Sequence, residues 1–81
     1  EARPEGTLLF IENIDRPGMI AAYSTILGKN QVNIADMSLA RDKQSATALT
    51  ILTLDTAPSS DGIAELEKIE GIKRIHCVAV A

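Results

Sequence analysis

The stretch Glu12-Asn13-Ile14-Asp15-Arg16-Pro17-Gly18-Met19-Ile20 lies between an apolar run, Thr7 to Ile11, and a segment of helical periodicity. Polar side chains therefore gather where a strand hands over to a helix. The first N–H groups of a helix lack intrahelical partners and carry partial positive charge, which suits a small carboxylate. A second polar element, Val32-Asn33-Ile34-Ala35, opens the next strand. No other segment offers chemistry of comparable specificity.

Working outward, Thr7 to Asn13 is short and mostly apolar, with Gly6 before it and Pro17-Gly18 after it, and predicts a central strand. Pro17 supplies the φ favoured at a first helical position, and Asp15 is a candidate helix cap. Met19, Ala22, Tyr23, Ile26 and Leu27 recur at helical spacing, with Ile20 beside them. They predict an amphipathic helix of about three turns ending near Gly28 to Asn30.

Val32 to Arg41 predicts a second strand with Asp36 and Ser38 on its wetter face, and Asp42 to Ser45 a polar hairpin turn. Ala46 to Leu54, β-rich and read as carrying Thr at alternate positions, predicts a third strand. Asp55 to Ser59 forms a loop, and Ser59 or Ser60 caps a second helix with Asp61 in its positive first turn. Ile63, Leu66 and Ile69 give that helix an apolar stripe, Gly71 ends it, and Ile72 to Val80 is the last strand. The order β-α-β-β-α-β predicts an α+β, ferredoxin-like split βαβ fold. Its four-stranded antiparallel sheet has the expected order 4-1-3-2, with both helices on one face. The uncovered face and the edge strand after the first helix invite a partner. Residues 1–6 read as the end of a linker and 7–81 as one domain. A chain beginning at Glu1 is expected to be a piece of a longer protein.

Composition narrows the function. A domain of 81 residues buries only roughly 60% of its unfolded surface, so association is an expected source of stability. The net charge of −3 and the scarcity of aromatics, Phe10 and Tyr23, argue against nucleic acid. No apolar run reaches the roughly 18 to 20 residues that span a bilayer, and no signal peptide is visible. Cys77 stands alone, fits a reducing cytoplasm and is expected to be a small core residue. His76 and Cys77 are adjacent on a strand and point to opposite faces, so no metal site is expected. Asp61, Glu65, Glu67 and Glu70 read as a solvated helix face. Ser24, Thr25 and Ser38 have no base in a recognisable motif, so no catalytic residue is expected. An acylphosphatase-like hydrolase on this scaffold would need a phosphate-cradling loop with Arg after strand one, where this chain has Asp15.

In this order of elements, Asn13-x-Asp15-Arg16-Pro17-Gly18 and Val32-Asn33-Ile34-Ala35 resemble an ACT domain from about Gly6 to Val80. Glu5-Gly6-Thr7-Leu8-Leu9, Met37-Ser38-Leu39-Ala40-Arg41, the Ala48-to-Leu54 strand and Gly71-Ile72 are similar to the C-terminal regulatory domains of D-3-phosphoglycerate dehydrogenases. The ACT domain of L-serine dehydratase reads very similarly.

The resemblance implies an amino-acid effector, foremost L-serine, held between two copies of a homodimer or higher homo-oligomer paired through helix one and strand two. The site would comprise Asn13, Asp15, Pro17, Gly18, Met19, Ile20 and Asn33. Amides of Gly18, Met19 and Ile20 would receive the carboxylate. Asn13, Asp15 and the partner subunit's Asn33 would accept from the ammonium or hydroxyl. Serine-binding relatives often carry His where this chain has Asn13, which keeps a ligand-free dimerisation module as an alternative. Many relatives also have Gly-Gly where this chain has Ser45-Ala46, which bears on the hairpin turn. From the residues alone, Asp15 and Asn13 are equally readable as cap and turn former, and Arg16 as a solvated or interface charge. The chain itself would need no cofactor; NAD would belong to a catalytic region outside it.

Overall fold

Strict alternation on two neighbouring strands builds the core. Thr7, Leu9, Ile11 and Asn13 of β1 (Gly6–Ile14) are buried, as are Ala48, Thr50, Leu52 and Leu54 of β3 (Thr47–Leu54). The register pairs Leu9 with Leu52 and Ile11 with Thr50, so these side chains share one face. The computed structural model describes residues 6–80. Of the segment read as a linker, residues 1–5 lie outside the described residues, and Gly6 is the first residue of β1.

Tyr23 and Leu27 of α1 (Met19–Lys29) and Leu66 of α2 (Ser60–Glu67) complete the core cluster on that face, with Val32 beneath the chain leaving α1. With β2 (Ile34–Asp42) and β4 (Ile72–Val80), the sheet order is β2-β3-β1-β4, every neighbouring pair antiparallel. This is the expected 4-1-3-2 order read from the other edge, and the fold is ferredoxin-like. β2 is a free edge. Met37 and Leu39 on it, and Ile20 on α1, are large apolar side chains left exposed.

The structure corrects several details. Pro17 is not the first helical residue: α1 begins at Met19 behind Gly18, whose φ of 91° puts the cap in the left-handed region. Asp15 is consequently no cap. β2 begins at Ile34, so Asn33 precedes the strand. Ser59 is the cap of α2, its hydroxyl accepting from Gly62 N at 3.0 Å, while Ile69 lies past the helix and still packs on the core. The threonines of β3 recur every third residue, so Thr50 turns inward while Thr47 and Thr53 face away from the helices. Cys77 is exposed rather than in the core. It pairs with buried Leu9, but β4 is an edge strand, and among its described side chains Ile72 and Ile75 are the ones that pack against the core. Glu65 of the acidic helix face pairs with Lys29, which holds its carboxyl below the ordinary range.

Candidate functional site

The loop after β1 is tied down from both sides. Ile14 N donates to Gly71 O at 2.8 Å, Asp15 N to Ala46 O at 2.9 Å, and the Arg16 guanidinium to Glu70 O at 2.7 Å. The first two bonds join the corner to the α2–β4 turn and the β2–β3 hairpin; the third clamps the loop's own side chain. Gly71, at φ 101°, makes the clamp possible, because a Cβ there would meet Arg16 Nη2 at 3.1 Å.

Beyond the loop, α1 starts without help from a side chain. Gly18 provides no cap hydrogen bond, and the first turn carries no acidic residue. Its leading N–H groups and the positive end of the helix are thus open to an anion. They lie at a cleft of about 500 Å³ lined by Asp15, Arg16, Pro17, Gly18, Met19, Ile20 and Arg41. Arg41 Nε stands 3.5 Å from Asp15 Oδ2, and both side chains are substantially exposed. The cleft therefore brings together a helix N-terminus, two guanidinium groups and a carboxylate, the last paired with Arg41.

Asn13 lies just below this corner, only 3% exposed. Its Nδ2 donates to Ile14 O at 2.8 Å, while its buried Oδ1 accepts nothing among the described residues. A carbonyl can only accept, so the amide orientation is fixed and the oxygen is the end left over. A buried acceptor without a partner is costly, of order 1–3 kcal/mol.

Five of the seven expected residues, Asp15 and Pro17 to Ile20, meet in the cleft. Asn13 borders it in sequence without lining it. Asn33 is remote within one chain: Ile34 pairs with Leu54, whereas Ile14 pairs with Thr47 at the other end of β3. Seven residues of strand separate them, about 23 Å. Asn33 is exposed, and its Nδ2 donates to Asp55 Oδ2 at 2.9 Å. Arg16, read from the sequence as a solvated or interface charge, and Arg41 are cleft residues outside the expected set. Arg41 could have been found from register, since it pairs with buried Ala48 and so projects on the helix side of the hairpin end nearest the corner.

A family model for the ACT domain matches residues 7–71. The chain belongs to the ACT domain family. D-3-phosphoglycerate dehydrogenase of Methanocaldococcus jannaschii is 35% identical over 75 residues, covering 93% of this chain and 14% of that protein. The chain thus spans about one seventh of the length of that relative. The ACT domain from GTP pyrophosphokinase of Chlorobium tepidum superposes with a TM-score of 0.65 at 16% identity, over 91% of this chain and 99% of that one. A formyltetrahydrofolate deformylase from Pseudomonas putida KT2440 gives a TM-score of 0.74 at 14% identity, over 91% of this chain and 28% of that one. At such identities the two structures speak to the ACT fold alone. No helix among the described residues is long and apolar enough to cross a membrane.

Proposed function

We propose that residues 7–81 are a regulatory ACT domain that binds a small amino acid, L-serine, between two copies and so exerts feedback control on an attached D-3-phosphoglycerate dehydrogenase. The observation that carries this reading is the cleft at the β1–α1 corner, where an uncapped helix N-terminus faces Asp15, Arg16 and Arg41. The effector carboxylate meets the amides of Gly18 to Ile20, and its ammonium turns toward Asp15 and the acceptor end of Asn13. The relatives' identity favours this parent, with L-serine dehydratase the second candidate.

The second copy docks on the free edge of β2. Antiparallel self-pairing centred on Met37–Ser38 brings the partner subunit's Asn33 beside positions 41–43, the Arg41 wall of the cleft. The exposed Ile20, Met37 and Leu39 are the apolar surface such pairing covers. A site complete only in the paired state gives the effector the differential affinity that regulation requires, with couplings of roughly 1–3 kcal/mol.

The domain performs no chemistry of its own in this reading. The turn after β1, Arg16-Pro17-Gly18, lacks the glycine-rich phosphate cradle of a dinucleotide site, so NAD belongs to the part of the relatives' length that this chain does not span. The setting we assign is cytoplasmic, with neither nucleic acid nor membrane as partner. The same apolar edge also favours a second reading, a dimerisation module without a ligand. Calorimetry with a panel of amino acids separates the two: saturable L-serine binding weakened by Asn33→Ala supports the first. A folded dimer that takes up no amino acid leaves the second.

A further inference from the structure

The pairing of Asn33 with Asp55 has a chemical polarity. Asp55 Oδ2 lies 2.9 Å from Asn33 Nδ2, and Asp55 N donates back to the Asn33 carbonyl oxygen at 3.0 Å. An ionised carboxylate has only acceptors, so the amide edge turned toward it must be the NH₂. That leaves Oδ1, an acceptor, as the end of Asn33 available to a ligand. Reversing the amide would set Oδ1 against the carboxylate and present NH₂ to the ligand instead.

We propose that Asp55 is a positioning residue for effector recognition: it holds the Asn33 amide with its oxygen outward, so the site takes a ligand carrying an ammonium. The inference rests on the reading of Asn33 as an effector contact across the paired edge. Asp55 touches no ligand in it. The same logic recurs at Asn13, whose NH₂ is spent on the Ile14 carbonyl and whose Oδ1 is left over. Two amides from opposite ends of the sheet are thus both set as acceptors, and acceptors on both sides suit a donor-only group such as R–NH₃⁺. The backbone bond from Asp55 to Asn33 keeps the two residues side by side, and the amide cannot reorient without breaking its charge-assisted bond to the carboxylate.

The test uses L-serine and 3-hydroxypropanoate, which is serine without its ammonium, titrated calorimetrically into the 81-residue chain. Asp55→Ala should weaken L-serine about tenfold, the scale of a charge-assisted hydrogen bond, and leave 3-hydroxypropanoate within about twofold. Asp55→Asn, which can satisfy either amide orientation, should fall between. In the Asn33→Ala background, Asp55→Ala should cost nothing further, because its effect passes through Asn33. Equal losses for both ligands, or additive losses in the double variant, overturn the proposal. Serine binding that is sensitive to Asn33→Ala but indifferent to Asp55→Ala overturns it while sparing the effector reading. Indifference to Asn33→Ala, or no binding at all, removes both. Without ligand, the Asn33 side-chain amide protons should show slowed exchange with water that Asp55→Ala abolishes; unchanged exchange also counts against it.

Discussion

Arg41 Nε and Asp15 Oδ2 stand 3.5 Å apart across the mouth of the β1–α1 corner, joining residues from the end of β2 and the loop after β1. Antiparallel pairing of β3 with both strands brings them together, and the Asp15 N to Ala46 O bond fixes the approach. An exposed pair of this kind adds only about 0–1 kcal/mol to stability. Its value lies in holding a guanidinium over the uncapped start of α1. Arg41→Ala should therefore weaken L-serine about tenfold by calorimetry while shifting the unfolding free energy by less than about 1 kcal/mol.

Two glycines at the corner separate conformational cost from steric cost. Gly18 has φ 91° with nothing within 4 Å of a notional Cβ, so Gly18→Ala should cost only the backbone penalty, about 1–2 kcal/mol. Gly71 has φ 101°, and its Cβ would also press on the Arg16 guanidinium and Met19 Sδ. Gly71→Ala should cost more, about 2–4 kcal/mol, and release the Arg16–Glu70 bond. Urea denaturation of both variants checks the order. Equal losses would mean that the Arg16 clamp yields freely.

The hairpin shows what could be read from the sequence and what could not. A short apolar run bounded by glycines and a β-rich run placed both central strands, polar Asp42 to Ser45 placed the turn between β2 and β3, and helical spacing found Tyr23 and Leu27. Ser45-Ala46 in place of glycines raised a question about turn geometry that local pattern could not answer. The chain answers it by forcing Ala46 to φ 56°, in the left-handed region, with its carbonyl receiving Asp15 N. Cys77 was misread because apolar character speaks for burial only where a helix overlies the strand. The partnership of Asn33 with Asp55 joins residues 22 positions apart and has no local signature. Ala46→Gly follows as a stabilising change, about 1 kcal/mol by urea denaturation, because only the strain is removed.

Tyr23 is the only tyrosine and is wholly buried under α1, its hydroxyl 3.9 Å from Met37 Sδ. Burial pushes its pKa above the ordinary 10.0, partly offset by the nearby Thr50 side chain. The folded state then holds the proton more tightly than the unfolded state. Stability from this source is intact below about pH 10 and is lost as pH rises through the folded pKa. Tyrosinate absorbance should titrate with a midpoint above 10.0 in the folded chain and return toward it in urea. Tyr23→Phe should show a shallower loss of stability above pH 10 than the wild type. A midpoint at or below the ordinary value would contradict the burial.

Leu39 tests whether association and effector binding are one event. It lies on the free β2 strand, 40% exposed, beside Met37 at 44%. Leu39→Lys places a charge in the apolar seam without disturbing the core, so folding and thermal unfolding of the single chain should change little. Sedimentation should show the pair dissociating at concentrations where the wild type remains associated. If the cleft is complete only when Asn33 arrives from the second copy, L-serine affinity must fall with it, by at least about tenfold, and added L-serine must pull the variant back toward the paired state. Dissociation with undiminished serine affinity would place the whole site within one chain, and Asn33 would then have no part in it.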